Sequence, residues 1–489
     1  MEAIKKPRYN TNDDDQISKL PDFLIHHILS FVDIKQSVQT CILSKRWGNI
    51  WTSLPFLTFD RSVLSEGGYP RFLDFVDYVL SLRDNRCFDI RRFHLLGGYG
   101  TYRCNFMDRL HRWIIVVARS NVEDLEVQYT GDISDDDDDF QVPSCVTTCK
   151  SLTKLELNLW THGKIFLSNS ISLPRLKYLK LKNTSFNHDE LLTKLCSSCP
   201  VLEHLDLSGV SSTTPLNITI SSLTLKHFEL HIDYHKSIHN TLRLCAPNLV
   251  YLVLSNLDCM LLEDVSSLVT ADVRVQAKSR QLNAELPTIH APDTLEFLKA
   301  LHNVKYLTIS FRPVLKDVRG LQELLEKQPF QFSNLQSLKL QKISLSTNSM
   351  QVIASLLKIS PIIESLALEL CQYAKFDHGY ESDEGLNSGS ESEQEMESDQ
   401  HTGETTLSLE GMFANTMKQL KSVEITGLDG SDTELKLIEI LMKNAIVLKK
   451  MVLKKDPCRS INDVTKFYEE VDNFPSACSS LRIYFHLSY

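Results

Sequence analysis

One phrase recurs through the middle of this chain: an apolar residue, two variable residues, a second apolar residue, one variable residue and a third apolar residue. Leu152-x-x-Leu155-x-Leu157, Leu176-x-x-Leu179-x-Leu181, Leu202-x-x-Leu205-x-Leu207, Leu225-x-x-Phe228-x-Leu230 and Leu249-x-x-Leu252-x-Leu254 are successive copies, and their first residues lie 24, 26, 23 and 24 apart. Later copies are Val304-x-x-Leu307-x-Ile309, Leu335-x-x-Leu338-x-Leu340 and Ile363-x-x-Leu366-x-Leu368, and Val122-x-x-Leu125-x-Val127 is an opening one. A fixed period of this length means that each copy is one small unit, buried only by stacking on its neighbours. Alternation within the phrase is that of a strand with one buried face.

The period falls within the 20–29 residues of leucine-rich repeats, so the expected fold is α/β: a curved parallel sheet with helices on the outer face. Pro174, Pro200, Pro247 and Pro361 each stand two residues before the first apolar position of a copy, where a strand loses no ladder N–H. Helical segments such as Asn187–Leu195 precede these strands, with capping residues ahead of an apolar stripe. The array is irregular. Trp160, Thr184, Val210 and Leu257 occupy the place of the usual Asn or Cys, with Asn183 and Asn256 one place earlier, and residues 274–300 carry no clear phrase.

Residues 17–60 read differently, as three short amphipathic helices. Pro21 and Asp22 suit a first turn, and Leu24, Ile25, Ile28, Leu29, Phe31 and Val32 recur at helical spacing. Ile34, Val38, Cys41 and Ile42 form a second apolar set, and Ser44 can cap a third helix in which Trp47 and Trp51 are one turn apart. A unit of roughly 40 residues cannot bury so much apolar surface alone. The run Leu20-Pro21-Asp22-x-Leu24-Ile25-x-x-Ile28-Leu29-Ser30-Phe31, with Leu43-Ser44-Lys45-Arg46-Trp47 and Trp51-x-x-Leu54-Pro55, closely resembles the F-box of plant F-box/leucine-rich-repeat proteins. The resemblance implies docking on a Skp-type adaptor, and through it on cullin and RING subunits, with Leu20, Pro21, Ile28, Leu29, Leu43, Ser44 and Trp47 facing the adaptor. Val32-Asp33 stands where the family often has Leu-Pro.

Near the C-terminus, Leu420–Gly427, Thr433–Met442 and Val447–Leu453 read as strand, helix and strand. This region resembles the FBD region that ends many plant F-box/repeat proteins, and physically it is one more repeat plus a cap. Residues 376–405 interrupt the array with Glu, Asp and Ser and almost nothing apolar, a composition expected to remain disordered as a solvated spacer; Asp135–Asp139 is a shorter acidic loop. The expected organisation is a disordered tail (1–15), an F-box (16–62), a leucine-rich-repeat solenoid (63–370), an acidic insert (371–407) and an FBD-like terminal repeat and cap (408–489).

Composition narrows the function classes. A formal net charge of −10 argues against general binding of nucleic acid, which rests on Lys and Arg at phosphates. The longest aliphatic run, Trp113–Ala118, is far short of the ~20 residues a bilayer requires. The expectation is therefore an intracellular chain with no membrane partner, working in nucleus and/or cytoplasm; Lys5-Lys6-Pro7-Arg8 has the form of a minimal import signal, one that also arises often by chance at chain termini. Twelve cysteines without a secretory leader suggest free thiols, and Cys196-x-x-Cys199 lacks the second pair that a tetrahedral zinc site needs. No phosphate-cradling loop, nucleophile elbow or metalloprotease signature occurs, so neither catalysis nor a cofactor is expected.

The reading that follows from the resemblance is a non-catalytic, substrate-recognition subunit of a cullin–RING ubiquitin ligase. Side chains on the outward face of the repeat strands would meet the target: Glu156, Lys180, Asp206, Glu229, Thr308 and Lys339, with Val253 and Glu424 in equivalent places. The alternative is a repeat scaffold whose F-box no longer joins a ligase.

Overall fold

In the computed structural model, residues 19–64, 68–83, 89–97, 106–130, 139–160, 164–185, 190–233, 240–257, 259–274, 291–310, 330–370, 411–455 and 464–486 are described. The acidic insert and the Lys5–Arg8 motif lie outside them. The chain divides into two compact units, Met1–Thr214 and Pro215–Tyr489.

The first unit begins with helix α1 (Asp22–Leu29) and helix α2 (Ile34–Gln39). Asp33, in the place of the family's proline, caps α2: its carboxylate accepts the Gln36 N–H at 2.8 Å, as an N-cap residue should. The third helix expected over residues 44–53 does not form. That stretch is a run of turns closed by a 3-10 turn at Ile50–Ser53. Gly48 and Asn49 are poor helix formers at its centre, and Trp47 and Trp51 are buried at 4% and 5% exposure without it.

Strands follow: β1 (Phe56–Asp60), β2 (Arg92–Gly97), β3 (Asp124–Thr130), β4 (Phe140–Gln141), β5 (Lys154–Trp160), β6 (Ile165–Phe166), β7 (Tyr178–Lys182) and β8 (His204–Val210). β1, β2, β3, β5, β7 and β8 pair in that order, all parallel. The ladder therefore begins at β1, well before the opening copy read at residue 122. Counting the residue paired across the ladder as position one (Lys154, Tyr178, His204), positions two and four are the leucines of the phrase. Leu155, Leu157, Leu179, Leu181, Leu205 and Leu207 are all at 0–1% exposure, a burial worth roughly 1.5–3 kcal/mol each. Helices pack on this side: Phe59 of β1 meets Phe75 of helix Gly68–Leu82 edge-on at 6.1 Å, and Phe106 of helix Phe106–Ala118 stacks on Tyr129 of β3 at 4.3 Å.

The second unit holds β9 (Asn217–Ser221), β10 (His227–Ile232), β11 (Thr241–Cys245), β12 (Tyr251–Ser255), β13 (Cys259–Asp264), β14 (Thr270–Arg274), β15 (Tyr306–Ser310), β16 (Ser337–Ile343), β17 (Ser365–Leu370), β18 (Ser422–Leu428), β19 (Lys450–Lys455) and β20 (Arg482–His486). A parallel ladder runs β10-β12-β14-β15-β16-β17-β18-β19-β20. β14 is a copy that the leucine phrase misses because Ala271 fills its second position. The expected outer helices are replaced between residues 217 and 264 by a second parallel sheet, β9-β11-β13. Its strands alternate buried and exposed residues, as in Asn217-Ile-Thr-Ile-Ser221, a period of two that no helix can bury on one face. Helices return at Ala291–Ala300, Thr347–Lys358, Asp432–Asn444 and Val464–Asp472.

The register shifts at the end of β16 and of β18, a bulge in each. The sixth position is left-handed at Asn183 (φ 57°), Gly209 (65°), Asn256 (62°), Lys342 (56°) and Gly427 (82°). Asn and Gly are the residues that tolerate this conformation. Asn183 and Asn256 also turn their side-chain amides back one repeat, donating to Leu159 O at 3.1 Å and Ile232 O at 2.6 Å. The asparagines displaced by one place in the sequence thus still hold neighbouring coils together.

Candidate functional site

Two surfaces stand out. On the N-terminal helical unit, Ile25, Leu29, Ile34, Trp47, Ile50, Trp51 and Leu54 form the interior, each at 7% exposure or less. Around that interior Phe23 (69%), Ile28 (46%), Phe31 (77%), Ile42 (84%) and Leu43 (62%) lie open, with Leu24 and Val32 partly so. Monomers do not normally leave so many large apolar side chains together in a short segment. The unit is held by polar ties. Arg46 bonds to Asp22 at 2.6 Å and to the Leu20 carbonyl, and His26 Nε2 lies 2.9 Å from Ser53 Oγ. Arg83, buried at 6% exposure, donates to Leu54 O at 2.7 Å, and burial pushes its guanidinium down to about 10.

Of the residues that the resemblance assigns to the adaptor, Ile28, Leu43 and Pro21 are exposed and Leu20 and Ser44 half-buried. Leu29 and Trp47, at 4% each, belong to the unit's own core and shape the surface from beneath. Phe23, Phe31 and Ile42, which were not assigned, are the most exposed of the set.

The second surface is the outward side of the ladders, made by positions one, three and five. In the first unit, position three brings His94, Glu126, Glu156, Lys180 and Asp206 into one row by register; in the second it holds Glu229, Val253, Asp272, Thr308, Lys339 and Glu424, and the register carries through β10–β18. These side chains do not stand free. Lys154 Nζ lies 2.6 Å from Glu126, 3.6 Å from Glu156 and 3.9 Å from Asp124, and Lys180 lies 3.0 Å from Asp206. Desolvation alone would lower both ammonium groups, but hydrogen bonds to Glu126 and Asp206 and the surrounding carboxylates raise them. Glu156 and Asp206 are consequently buried, at 8% and 3% exposure.

Position one adds aromatic stacking that spacing alone does not announce. Tyr178 lies flat on His204 at 4.3 Å, and His227 on Tyr251 at 4.3 Å. Glu229 sits between two imidazoles, 2.7 Å from His227 Nε2 and 3.8 Å from His231 Nε2. The hydrogen bond from His227 first and the neighbouring His231 imidazole next, against opposing burial, hold its carboxyl far below the usual range.

His94, Asp124 and Glu126 are close enough to chelate a cation. The Lys154 ammonium already supplies positive charge there, and Arg92 approaches Asp124 at 3.3 Å, so the cluster is a neutralised ion-pair network. Cys196 and Cys199 are likewise poor metal ligands: burial pushes both thiols up to about 12, whereas a metal needs the thiolate.

A helical unit with surplus apolar surface, leading into leucine-spaced parallel strands with an ionic outward face, defines a binding protein of the F-box/leucine-rich-repeat class. The F-box domain matches residues 17–59, the leucine-rich repeats of FBD-associated F-box protein At5g56370 match 110–326, and the FBD domain matches 417–453. F-box/LRR-repeat protein At1g06630 of Arabidopsis thaliana is 30% identical over 74% of this chain and 86% of its own length. F-box/FBD/LRR-repeat protein At2g26030 of the same plant is 26% identical over 96% of this chain and 98% of its own. The chain belongs to the plant F-box/LRR-repeat proteins, in the branch that carries a C-terminal FBD region.

Proposed function

We propose that this protein is the substrate-recognition subunit of an SCF-type cullin–RING ubiquitin ligase. The exposed apolar surface of residues 20–43 is the observation that carries the reading, because a soluble chain needs a partner to cover it. That partner is a Skp-type adaptor, met by Ile28, Leu43, Pro21 and the edges of Leu20 and Ser44, with Phe31 and Ile42 extending the contact. Cullin and RING subunits join through the adaptor. The outward strand face offers the target Lys180, Glu229, Thr308 and Lys339 together with stacked rings, while Glu156 and Asp206, too buried to be touched directly, set the charge balance beneath. Such a subunit carries out no bond chemistry of its own. It raises the effective concentration of a target lysine near a thioester held by another protein.

The test is co-expression of the full chain with a plant Skp-type adaptor, followed by size-exclusion chromatography and a binding isotherm. A stable one-to-one complex supports the proposal. A folded chain that forms no complex would favour the second reading, a repeat scaffold outside any ligase, for which the departure at Val32-Asp33 is the one sequence observation.

A further inference from the structure

We propose that the open edge of β20 is a docking site for an extended acidic segment of a target protein, which adds to the ladder as one more strand. The inference rests on the receptor reading and specifies the chemistry its target carries at this end of the molecule.

β20 pairs with β19 along one side, from Lys450↔Arg482 to Lys454↔His486, and with no strand on its other side among the described residues. An unpaired edge presents a row of N–H and C=O groups to any extended chain. The inward side shows the same incompleteness. Positions two and four are buried in every other ladder strand, whereas Ile483 and Phe485 of β20 are only half-buried, although Tyr468 packs against Phe485 at 4.1 Å. One further strand would cover both.

Charge identifies the occupant. Lys450 and Arg482 are exposed register partners on the outward side, and neither has a carboxylate within ion-pair distance among the described residues. Like charges facing each other across a strand pair destabilise it, so an anion between them relieves a repulsion built into the fold. On the same side, Lys454 is already balanced by Glu424 at 2.6 Å, and His486 is exposed beyond it. Tyr484, 41% exposed, stands between Arg482 and His486. A strand laid along this edge would place alternate side chains at about 3.3 Å per residue. Acids four apart would meet Arg482 and His486, a ring between them would meet Tyr484, and the two intervening residues would be apolar, over Ile483 and Phe485.

The experiment is fluorescence anisotropy with the full chain and a labelled peptide Ser-Glu-Val-Tyr-Val-Glu-Ser. The expected result is saturable binding that weakens with salt. It should be at least tenfold weaker for the Gln-for-Glu peptide and absent when proline replaces the Tyr, whose N–H would donate to the ladder as that of Arg482 donates to Lys449 O. Lys450→Glu with Arg482→Glu should abolish it, and Lys450→Gln with Arg482→Gln should weaken it, while thermal melts show both variant pairs still cooperatively folded. Equal binding by the Gln or proline peptide, or by the charge-reversed protein, would overturn the proposal. So would a single-stranded oligonucleotide that competes as well as the acidic peptide, or a dimer in sedimentation that the charge reversal dissociates, since the edge would then serve a general polyanion or a second copy. Adaptor binding measured on the same samples separates this inference from the receptor reading: peptide binding without an adaptor complex would leave the edge site standing while the ligase assignment fell.

Discussion

Lys180 lies 3.0 Å from Asp206 across the β7–β8 pair, and the acid is only 3% exposed although it stands on the outward side of the ladder. Removing the lysine alone leaves a buried carboxylate with only the Ser208 hydroxyl, 2.7 Å away, against its desolvation. Lys180→Ala should lower stability by about 2 kcal/mol, and the added change Asp206→Ala should restore part of that loss. Urea unfolding of the two variants, compared with the parent, measures the coupling.

The docking unit separates surface from core at adjacent residues. Ile28→Asp with Leu43→Asp should abolish adaptor binding without moving the melting transition. Leu29→Ala should instead cost about 2–5 kcal/mol of stability and weaken binding only as the unit unfolds. An adaptor titration beside a thermal melt distinguishes the two outcomes.

At the left-handed sixth positions, side-chain identity controls strain. Gly427→Ala should destabilise by more than about 2 kcal/mol, because a Cβ there would meet the Leu370 carbonyl oxygen well inside contact distance. Lys342, at φ 56°, carries a penalty that glycine would not, so Lys342→Gly should stabilise by about 1 kcal/mol. Denaturant midpoints of the two variants should move in opposite directions.

Glu229 sets a pH dependence. Its folded-state carboxyl is depressed below the ordinary 4.5 by His227 and His231, so its contribution is complete above about pH 4.5. That contribution is lost as pH falls below that value, where the unfolded chain takes up the proton first. The stability difference between the parent and Glu229→Gln should shrink between pH 4.5 and 3. A difference that widens over that interval would reverse the assigned sign.

Leucine spacing made the ladder legible, because a buried strand position tolerates few residue types and repeats them. The copy at β14 escaped because Ala271 supplies too little apolar signal, although its backbone pairs as the others do. β1 escaped because Leu57 and Phe59 sit inside a segment dominated by helical motifs. The sheet β9-β11-β13 was hidden by the expectation of helices, even though Asn217–Ser221 and Thr241–Cys245 alternate visibly. At the candidate site, the outward position of Lys180 and Asp206 followed from parity alone. Their mutual burial did not, since ion pairing depends on which residue the neighbouring repeat places alongside. Leu29 and Trp47 likewise match the docking motif but serve it from underneath, a distinction that only packing reveals.

Ser365 and Ser422 are 57 residues apart in the chain, yet they are register partners whose hydroxyls lie 3.0 Å from each other. The ladder closes as though the intervening residues were an ordinary return. Entropy makes such a detour inexpensive, because doubling a connection adds only about 0.6 kcal/mol. The junction after Leu370 is thus a port where whole segments can be gained, lost or exchanged between related proteins while the strands on either side keep their register.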